Sequence, residues 1–257
     1  MDDPIITHYN SLLYTAIVDE YTRQSGFANF GYWEDHIADA KQASCNLLEK
    51  LVAFIPTKSG SILDVACGKG GSTKYLLEYY PLSRVTAINI SEKQLESARR
   101  NVPDCKFLQM NATELDFENN SFDNIICVEA AFHFCTREKF FQEALRVLKP
   151  GGRLVLSDVL MQKGVEQRRS TFHAENYLPG LDAYAALARR TGFVNIEVHD
   201  ATIPCWHGHF HDVVRFAHRK LLDREFDTEQ LQKILNDVYN LVGDLKYYLL
   251  ACLKKHK

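Results

Sequence analysis

The sequence predicts an α/β fold in which one doubly wound, mostly parallel sheet is covered by helices on both faces. Strand-like and helix-like segments alternate between residues 61 and 158, which is the pattern of parallel strands joined by crossover helices. Several strand segments, such as NIICV at 124–128, are apolar on both faces, as buried parallel strands are. A glycine-rich turn, CGKGG at 67–71, follows the first strand segment.

The predicted elements begin with a helical region. Residues 5–58 are mainly helical in pattern, with an aromatic, glycine-containing break at GFANFGYWED, and Pro56 ends this region. Five strand segments then alternate with three helical ones. The strand segments are SILDVAC at 61–67, RVTAINI at 84–90, CKFLQMN at 105–111, FDNIICVEA at 122–130 and GRLVLSDVL at 152–160, and the helical segments are 72–80, 91–102 and 138–149. Ser91 with Gln94 is an N-cap pattern, and KPGG at 149–152 ends the third helix.

A long polar connection with several aromatic and histidine side chains occupies residues 159–180. It follows the carboxyl end of a strand, where long connections are either functional lids or insertions. The segments beyond it are a helix over 181–193, an alternating strand over 194–203 and a helix over about 221–241. We predict a single domain, with a helical N-terminal cap over 1–58 packed on a core over 59–257 and a lid at about 159–180.

The composition is typical of a soluble globular protein, with 46% hydrophobic and 25% charged residues and a formal net charge of −3 over 257 residues. No basic excess indicates nucleic acid as a partner, and no apolar run is long enough to cross a bilayer. The start, MDDP, lacks the basic and apolar regions of a secretory signal, so we expect a cytoplasmic protein. We allow for a homodimer, because nothing in the sequence fixes the oligomeric state.

The cysteines and histidines give no metal signal. Seven cysteines, an odd number, are scattered along the chain without a C-x-x-C pair, which indicates neither a disulfide framework nor a zinc site. His207, His209 and His211 in HGHFH would share one face if the segment were a strand, but no acidic or cysteine ligand is placed with them. We expect no metal site, and a substrate-facing or solvated role for this segment.

The glycine-rich turn is the first indication of a ligand site. Gly68 and Gly70 let the backbone approach a ligand, and the helix that follows offers unpaired N–H groups to anionic atoms. Thr73 stands where a dinucleotide fingerprint needs glycine, and Asp64 would repel a pyrophosphate. A carboxylate there favours a ligand with a cationic amine. A nicotinamide-dependent oxidoreductase is therefore the weaker alternative.

Four blocks in this order carry a specific resemblance: LDVACGKGG, VTAINISEKQLESAR, NATELDFENNSFDNII and ALRVLKPGGRLVLSD. Together they resemble the S-adenosylmethionine-dependent methyltransferases of the Rossmann-like class, over residues 30–200 well and over the ends loosely. The resemblance implies a single Rossmann-like domain with a seven-stranded sheet. It also implies that GDLKYYLLACLKK at 243–255 is the last, antiparallel strand, although its periodicity alone also allows a helix.

The resemblance implies a set of residues that bind S-adenosylmethionine. Asp64, Gly68 and Gly70 would hold its methionine end, and Tyr32 in the aromatic break would bind its carboxylate, although Tyr32 and Trp33 are equally explained as packing anchors. The full implied set is Tyr32, Asp64, Gly68, Gly70, Asn89, Ile90, Gln94, Asn111, Ala112 and Glu129.

Three positions depart from the family pattern. Asn89, which would bind the ribose together with Gln94, stands where an acid is common, but an amide can still bind a diol. Asn111 stands where an aspartate usually accepts from the adenine amino group, and its other explanation is a loop-capping amide. Ala66 replaces a frequent glycine, which is tolerated if φ there is negative.

The catalytic prediction rests on VEAAFHF and LVLSD. His133 lies just beyond the end of the fourth strand and Asp158 at the end of the fifth, and sugar and indolocarbazole O-methyltransferases carry a similar pair. A carboxylate bound to one ring nitrogen would fix the histidine tautomer and make it a proton acceptor. The alternative is that both residues cap helices.

These observations predict methyl transfer from S-adenosylmethionine to a small molecule, at a hydroxyl oxygen, with His133 as the general base. The alternatives are nitrogen or carbon methylation within the same family, an oxidoreductase, or a cofactor-binding module without chemistry. Aromatic and histidine side chains of the cap and lid are expected to line the acceptor pocket: Tyr14, His173, Tyr177 and Trp206.

Overall fold

The computed structural model describes residues 4–257, so the predicted helical cap is seen from Pro4 onward. A central sheet of seven strands has the order β3-β2-β1-β4-β5-β7-β6 within these residues. The strands are β1 Ile62–Val65, β2 Val85–Asn89, β3 Lys106–Gln109, β4 Phe122–Val128, β5 Leu148–Met161, β6 Val194–Asp200 and β7 Leu245–Lys254. Strands β1 to β5 pair in parallel, and β7 is antiparallel to both β5 and β6. The predicted fold class is confirmed.

Helices cover both faces of this sheet. They are α1 Pro4–Leu12, α2 Ala16–Tyr21, α3 Ala40–Ala53, α4 Gly71–Leu76, α5 Glu92–Asn101, α6 Arg137–Val147, α7 Leu181–Arg190, α8 Gly208–Leu222 and α9 Thr228–Val242. The Ser91 side chain accepts from the Gln94 N–H at the start of α5, as the N-cap pattern predicts. None of these helices is long and apolar enough to cross a membrane.

The two-sided apolar strands produce two cores. Ile62 and Ile126 face one layer, where they pack with the α3 residues Leu47, Leu48 and Leu51. Their neighbours Leu63 and Ile125 face the other layer, with α6 and α7 side chains that include Phe140 and Leu187. Because successive strand residues point to opposite faces, one run of apolar residues supplies both cores.

The C-terminal third differs from the predicted elements. The helix expected over about 221–241 begins later, because α8 continues to Leu222 and α9 starts at Thr228, where Asp227 caps it through a reciprocal bond with Gln230. The HGHFH segment is not a strand, since it spans a π-helical turn and the first turn of α8. Strand β5 is also longer than predicted, because Leu148 pairs with β4 at its start and Met161 pairs with β7 at its end, so the connection begins at residue 162.

Candidate functional site

A cavity of about 880 Å³ lies at the carboxyl ends of β1, β2 and β4. Helix α1 and residues 168–172 of the predicted lid form part of its wall. The wall includes eight of the predicted site residues, which are Gly68, Asn89, Ile90, Gln94, Asn111, Ala112, Glu129 and His133. It does not include Tyr32, Asp64, Gly70 or Asp158, which are all described residues. The topological edge predicted for the site is therefore where the cavity lies.

Gly68 and Gly70, the two predicted ligand-binding glycines, have different structural roles. Gly68 has φ +56°, and a Cβ added there would meet nothing within 4 Å, so its backbone faces the open cavity. Gly70 has φ +89° at the start of α4, and an added Cβ would lie 3.0 Å from the Ala98 Cα. Gly70 therefore allows α4 to pack against α5 rather than facing a ligand. Ala66 has φ +59°, so the condition of a negative φ for a tolerated replacement is not met, and the turn carries about 1–2 kcal/mol of backbone strain there.

Asp64 lies buried behind the turn rather than in the cavity wall. Ser72 and Thr73 donate hydrogen bonds to its Oδ2 at 2.8 and 2.7 Å, whereas its Oδ1 has no hydrogen-bond partner among the described residues. Burial raises the pKa of this carboxyl to about 6, against the opposing effect of the two hydroxyl donors. Thr73, which breaks the dinucleotide pattern, therefore serves to hold the acid. The orphaned oxygen suits a cationic ligand in the turn.

The end of β2 carries a connected set of amides. Asn89 Nδ2 donates to Gln94 Oε1 at 2.9 Å, and the Ser91 N–H donates to Asn89 Oδ1 at 3.1 Å. From α1, Asn10 Oδ1 accepts from Ser91 Oγ at 2.9 Å and from Gln94 Nε2 at 3.4 Å. The residues predicted to bind a ribose thus come together in the wall, and α1 already supplies one of their partners.

Asn111 adopts the loop-capping conformation that the sequence left open. Its Oδ1 accepts hydrogen bonds from the N–H and the hydroxyl of Thr113, both at 3.0 Å. Asn111 is exposed to solvent. A carbonyl oxygen has two lone pairs, and both are engaged in this turn. The predicted bond from an adenine amino group to this oxygen therefore has no lone pair available, while buried Ala112 lies beside it in the wall.

Glu129 fixes the aromatic break over the cavity. Its two carboxylate oxygens accept from the Phe30 N–H at 2.8 and 3.1 Å, and Oε1 accepts from the Tyr248 hydroxyl at 2.6 Å. Burial raises the pKa of this carboxyl to about 8. Tyr32 itself lies outside the wall, where the Lys50 ammonium sits over its ring at 4.8 Å, so residues 26–30 of the break contribute to the cavity in its place.

His133 has both ring nitrogens engaged and faces the cavity. Its Nδ1 lies 2.7 Å from the Thr171 carbonyl oxygen, and its Nε2 lies 2.7 Å from the Tyr9 hydroxyl. A carbonyl can only accept, so Nδ1 carries the proton and Nε2 accepts from Tyr9. Burial lowers the pKa of this imidazole to about 4. The ring is therefore neutral, with its basic nitrogen turned toward a hydroxyl.

Asp158 does not orient His133, so the predicted pair is wrong. Its carboxylate is fully buried and accepts from Arg137 Nε at 2.7 Å, Arg137 Nη2 at 3.3 Å and the Tyr184 hydroxyl at 2.9 Å. Arg137 is the first residue of α6, four residues after His133, and it pairs with the acid, while the Thr171 carbonyl fixes the tautomer that the acid was expected to fix. The structure thus separates the two predicted catalytic residues.

The histidine cluster and the predicted pocket residues are also distributed differently. His209 packs edge-on to Phe30, with ring centroids 4.8 Å apart, and burial lowers its pKa to about 3. No group of three or more His, Cys, Asp or Glu side chains within residues 4–257 is arranged to hold a metal ion. Of the predicted acceptor-pocket residues, Trp206 lines the cavity, while His173 and Tyr177 line a smaller neighbouring pocket.

Three functional residues were missed from the sequence: Tyr9, Asn10 and Thr171. Thr171 acts through its backbone carbonyl, which no sequence pattern reports. Tyr9 and Asn10 are adjacent polar residues on α1, and no residue of this helix, Pro4–Leu12, is buried. Its sequence pattern therefore indicates a solvent-exposed helix. The histidine motif was the one available signal, because a buried neutral imidazole needs partners for both nitrogens.

The chain matches a family model described as a methyltransferase domain over residues 63–156. Over 211 residues it is 30% identical to the erythromycin 3''-O-methyltransferase of Saccharopolyspora erythraea, covering 73% of this chain and 69% of that protein. Over 193 residues it is 32% identical to the 27-O-demethylrifamycin SV methyltransferase of Amycolatopsis mediterranei, and the match covers 68% of this chain and 71% of that protein. The chain belongs to the S-adenosylmethionine-dependent methyltransferases.

The fold of this methyltransferase recurs in solved structures. The phosphoethanolamine N-methyltransferase 2 of Haemonchus contortus, in complex with S-adenosylmethionine, superposes with a TM-score of 0.73 at 20% identity. The superposition covers 100% of this chain and 61% of that one, and at this identity it reports the fold alone. The methyltransferase has the features this cofactor needs: an open backbone cradle at Gly68 and an orphaned Asp64 oxygen for an ammonium group.

The variants Gly68→Ala and Gly70→Ala separate binding from folding in the methyltransferase. Both place a Cβ at positive φ, which costs about 1–2 kcal/mol. The Gly68→Ala methyl group projects into the cavity, so we expect a Kd for S-adenosylhomocysteine about tenfold higher in calorimetry, or about 1.4 kcal/mol. Gly70→Ala also presses on Ala98, so we expect the larger loss of stability in urea unfolding. Equal cofactor affinity of Gly68→Ala and the wild type would contradict this assignment.

Proposed function

We propose that this methyltransferase methylates a hydroxyl oxygen of a small, natural-product-like molecule, with His133 Nε2 accepting the hydroxyl proton. The observation that carries the proposal is the pair of contacts that the two ring nitrogens of His133 make. The Thr171 carbonyl holds the proton on Nδ1, so Nε2 presents its lone pair, and it already accepts from one hydroxyl, that of Tyr9, at 2.7 Å. A base within hydrogen-bond distance of the acceptor is what oxygen methylation requires.

The chain's residues supply alignment and proton removal. S-adenosylmethionine, when bound, provides the methyl group at its sulfonium centre. The turn at Gly68 and the amides of Asn89 and Gln94 would bind the cofactor, since they share the wall with His133. Phe132 and Phe172 stack with centroids 5.4 Å apart beside the imidazole and exclude water from it. An acceptor hydroxyl that replaces the Tyr9 hydroxyl at Nε2 would lose its proton there as the methyl group is transferred.

Asp158 acts as a positioning residue in this proposal. It holds Arg137, whose Nη1 donates to the Asn176 backbone oxygen at 2.7 Å. The Asn176 side chain in turn donates to the carbonyl oxygens of Phe132 and Phe134 at 3.1 and 2.8 Å. Phe132 and Phe134 flank His133. Asp158 therefore supports the short helical turn Ala131–His133 through three successive contacts. The chain of bonds explains why an acid is useful at this strand end without touching the histidine.

The relatives support the class of acceptor. Two of them are named as methyltransferases of erythromycin and of 27-O-demethylrifamycin SV, both small molecules rather than proteins or nucleic acids. The cavity wall agrees with an acceptor of this kind, because apolar side chains such as Ile6, Leu12 and Met161 line it together with polar and charged groups.

The test is the position of the transferred methyl group. The enzyme is incubated with trideuteromethyl S-adenosylmethionine and a panel of hydroxylated glycosides and polyketides, including 27-O-demethylrifamycin SV, with an amine analogue of each. We expect products that carry the label on oxygen, located by tandem mass spectrometry. Transfer only to the amines or to carbon would overturn the proposal and favour the nitrogen or carbon alternatives.

The pH dependence of catalysis follows from burial of His133. Its pKa is lowered to about 4 from 6.5, so the neutral, proton-accepting form is already populated above about pH 5. We therefore expect the ratio of kcat/KM of the wild type to that of His133→Ala to be flat from pH 5 to 8 and to fall only as the pH approaches 4. The ratio is used because the buried carboxyls of Asp64 and Glu129, with pKa values of about 6 and 8, titrate in both proteins. Initial rates across this range, with circular dichroism to confirm folding, give the two profiles. An inflection near 6.5 in the ratio would mean that His133 titrates as a solvent-exposed base.

A further inference from the structure

A thiol and an imidazole lie together at the mouth of the cavity, outside the contacts assigned above. Cys135 Sγ is 3.0 Å from His173 Nε2 and 3.6 Å from His173 Nδ1. Cys135 is exposed and belongs to the cavity wall, and His173 is half-buried beside it. A thiol that can pass its proton to an imidazole becomes a thiolate, which is the nucleophilic form.

The other cysteines are poorly suited to reaction. Cys67, Cys127, Cys205 and Cys252 are buried, and Cys45 and Cys105 are half-buried. Burial raises the pKa of Cys105 and of Cys252 to about 11 and raises that of Cys45, so these thiols stay protonated at neutral pH. Cys135 thus differs from the other six in both exposure and partner.

The pair joins the same two segments that hold the proposed base. Cys135 follows His133 by two residues, and His173 follows Thr171 by two residues, so the thiol contact runs beside the bond from His133 Nδ1 to the Thr171 oxygen. A group attached to Sγ takes the place of the thiol that now contacts His173. Loss of this contact removes one of the links between the His133 segment and residues 171–173.

We propose that Cys135 is a thiol-modification site that forms a mixed disulfide with a small disulfide such as glutathione disulfide, and that this reversibly loosens the contact between the His133 segment and residues 171–173. In the step, the Cys135 proton passes to His173 and the thiolate attacks one sulfur of the small disulfide. A new S–S bond forms, the original S–S bond breaks, and the second half leaves as a thiolate that takes up a proton. Cys135 is oxidised and the departing half is reduced, so no further oxidant is needed.

The modification itself is tested without an acceptor, so its outcome does not depend on the proposed function. The wild-type protein is treated with glutathione disulfide at pH 7, quenched with acid and mapped by peptide mass spectrometry over time. We expect Cys135 to be modified first, about tenfold faster than the same cysteine in urea-unfolded protein, because only the folded chain brings His173 to it. Equal rates in the folded and unfolded chain, or faster modification of Cys45, would overturn the proposal.

Variants identify the role of the histidine. His173→Ala and His173→Gln should both slow modification of Cys135 about tenfold, since glutamine keeps a polar contact but cannot accept the thiol proton. His207→Ala removes an exposed histidine elsewhere and serves as the matched control, with no change expected. If Cys135 of His173→Gln is modified at the wild-type rate, His173 does not accept the thiol proton and the two side chains are only in packing contact. If either His173 variant fails to fold, the comparison of folded and unfolded wild type decides the question.

The consequence for the site is measured separately. Hydrogen exchange of residues 165–177 should become faster in the mixed disulfide and return to its original rate after reduction with dithiothreitol. Unchanged exchange would contradict loosening of this segment. The proposed base enters only at this second step, so loss of the base assignment would leave the modification result standing.

Discussion

Replacing Arg137 with methionine is expected to destabilise the protein by about 3–5 kcal/mol, because it leaves the Asp158 charge buried without its partner. Both side chains are almost fully buried, at 2% and 0% exposure. Besides the ion pair, Arg137 donates to the backbone oxygens of Val159 and Asn176, so the variant also loses hydrogen bonds between β5 and the connection after it. Urea unfolding followed by circular dichroism measures the effect.

Two further variants make the Arg137 result interpretable. Arg99→Met removes a partner from the exposed pair with Glu92, and a loss below about 1 kcal/mol is expected there. Adding Asp158→Leu to Arg137→Met removes the stranded charge, so part of the lost stability should return. An Arg137→Met protein as stable as Arg99→Met would show that the buried pair does not support the fold.

Replacing His133 with alanine is expected to lower kcat/KM by about 10²- to 10⁴-fold, the usual contribution of a positioned general base. Cofactor affinity should stay near the wild-type value, because the predicted cofactor contacts come from Gly68, Asn89 and Gln94. Rates with an oxygen acceptor found in the panel, and calorimetry with S-adenosylhomocysteine, separate the two effects.

The matched control for this loss is His218→Ala. His218 is an exposed histidine whose Nδ1 contacts the Val214 carbonyl within its own helix, so its removal should leave the rate unchanged. His133→Gln is informative as well, since an amide preserves a hydrogen bond but accepts no proton. Full activity in His133→Gln would rule out proton transfer to this residue.

The core of the fold could be predicted because the burial of each strand follows from its own short stretch of sequence. Strand β4 carries apolar side chains on both faces through Ile125 and Ile126, and this alone requires helices above and below it. The ends of elements were less predictable where a distant partner sets them. Strand β5 extends to Met161 only because β7 lies beside it, and the short-range pattern carries no trace of that pairing.

The site was predicted where a motif fixes the backbone and was wrong where side chains choose between partners. The glycine turn, the β2 end and His133 all reach one cavity, as the motifs indicate. Asp158, by contrast, pairs with Arg137, and no motif connects that arginine with the end of β5. Likewise Ala66 reads as a harmless replacement, although its φ of +59° is set by the turn rather than by the residue.

A crystal structure of the complex with S-adenosylhomocysteine tests the central claim most directly. We expect the amino acid end of the ligand at the turn that contains Gly68, its ribose beside Asn89 and Gln94, and its sulfur directed toward the space in front of His133 Nε2. A ligand whose sulfur points away from His133, or one bound outside this cavity, would contradict the account.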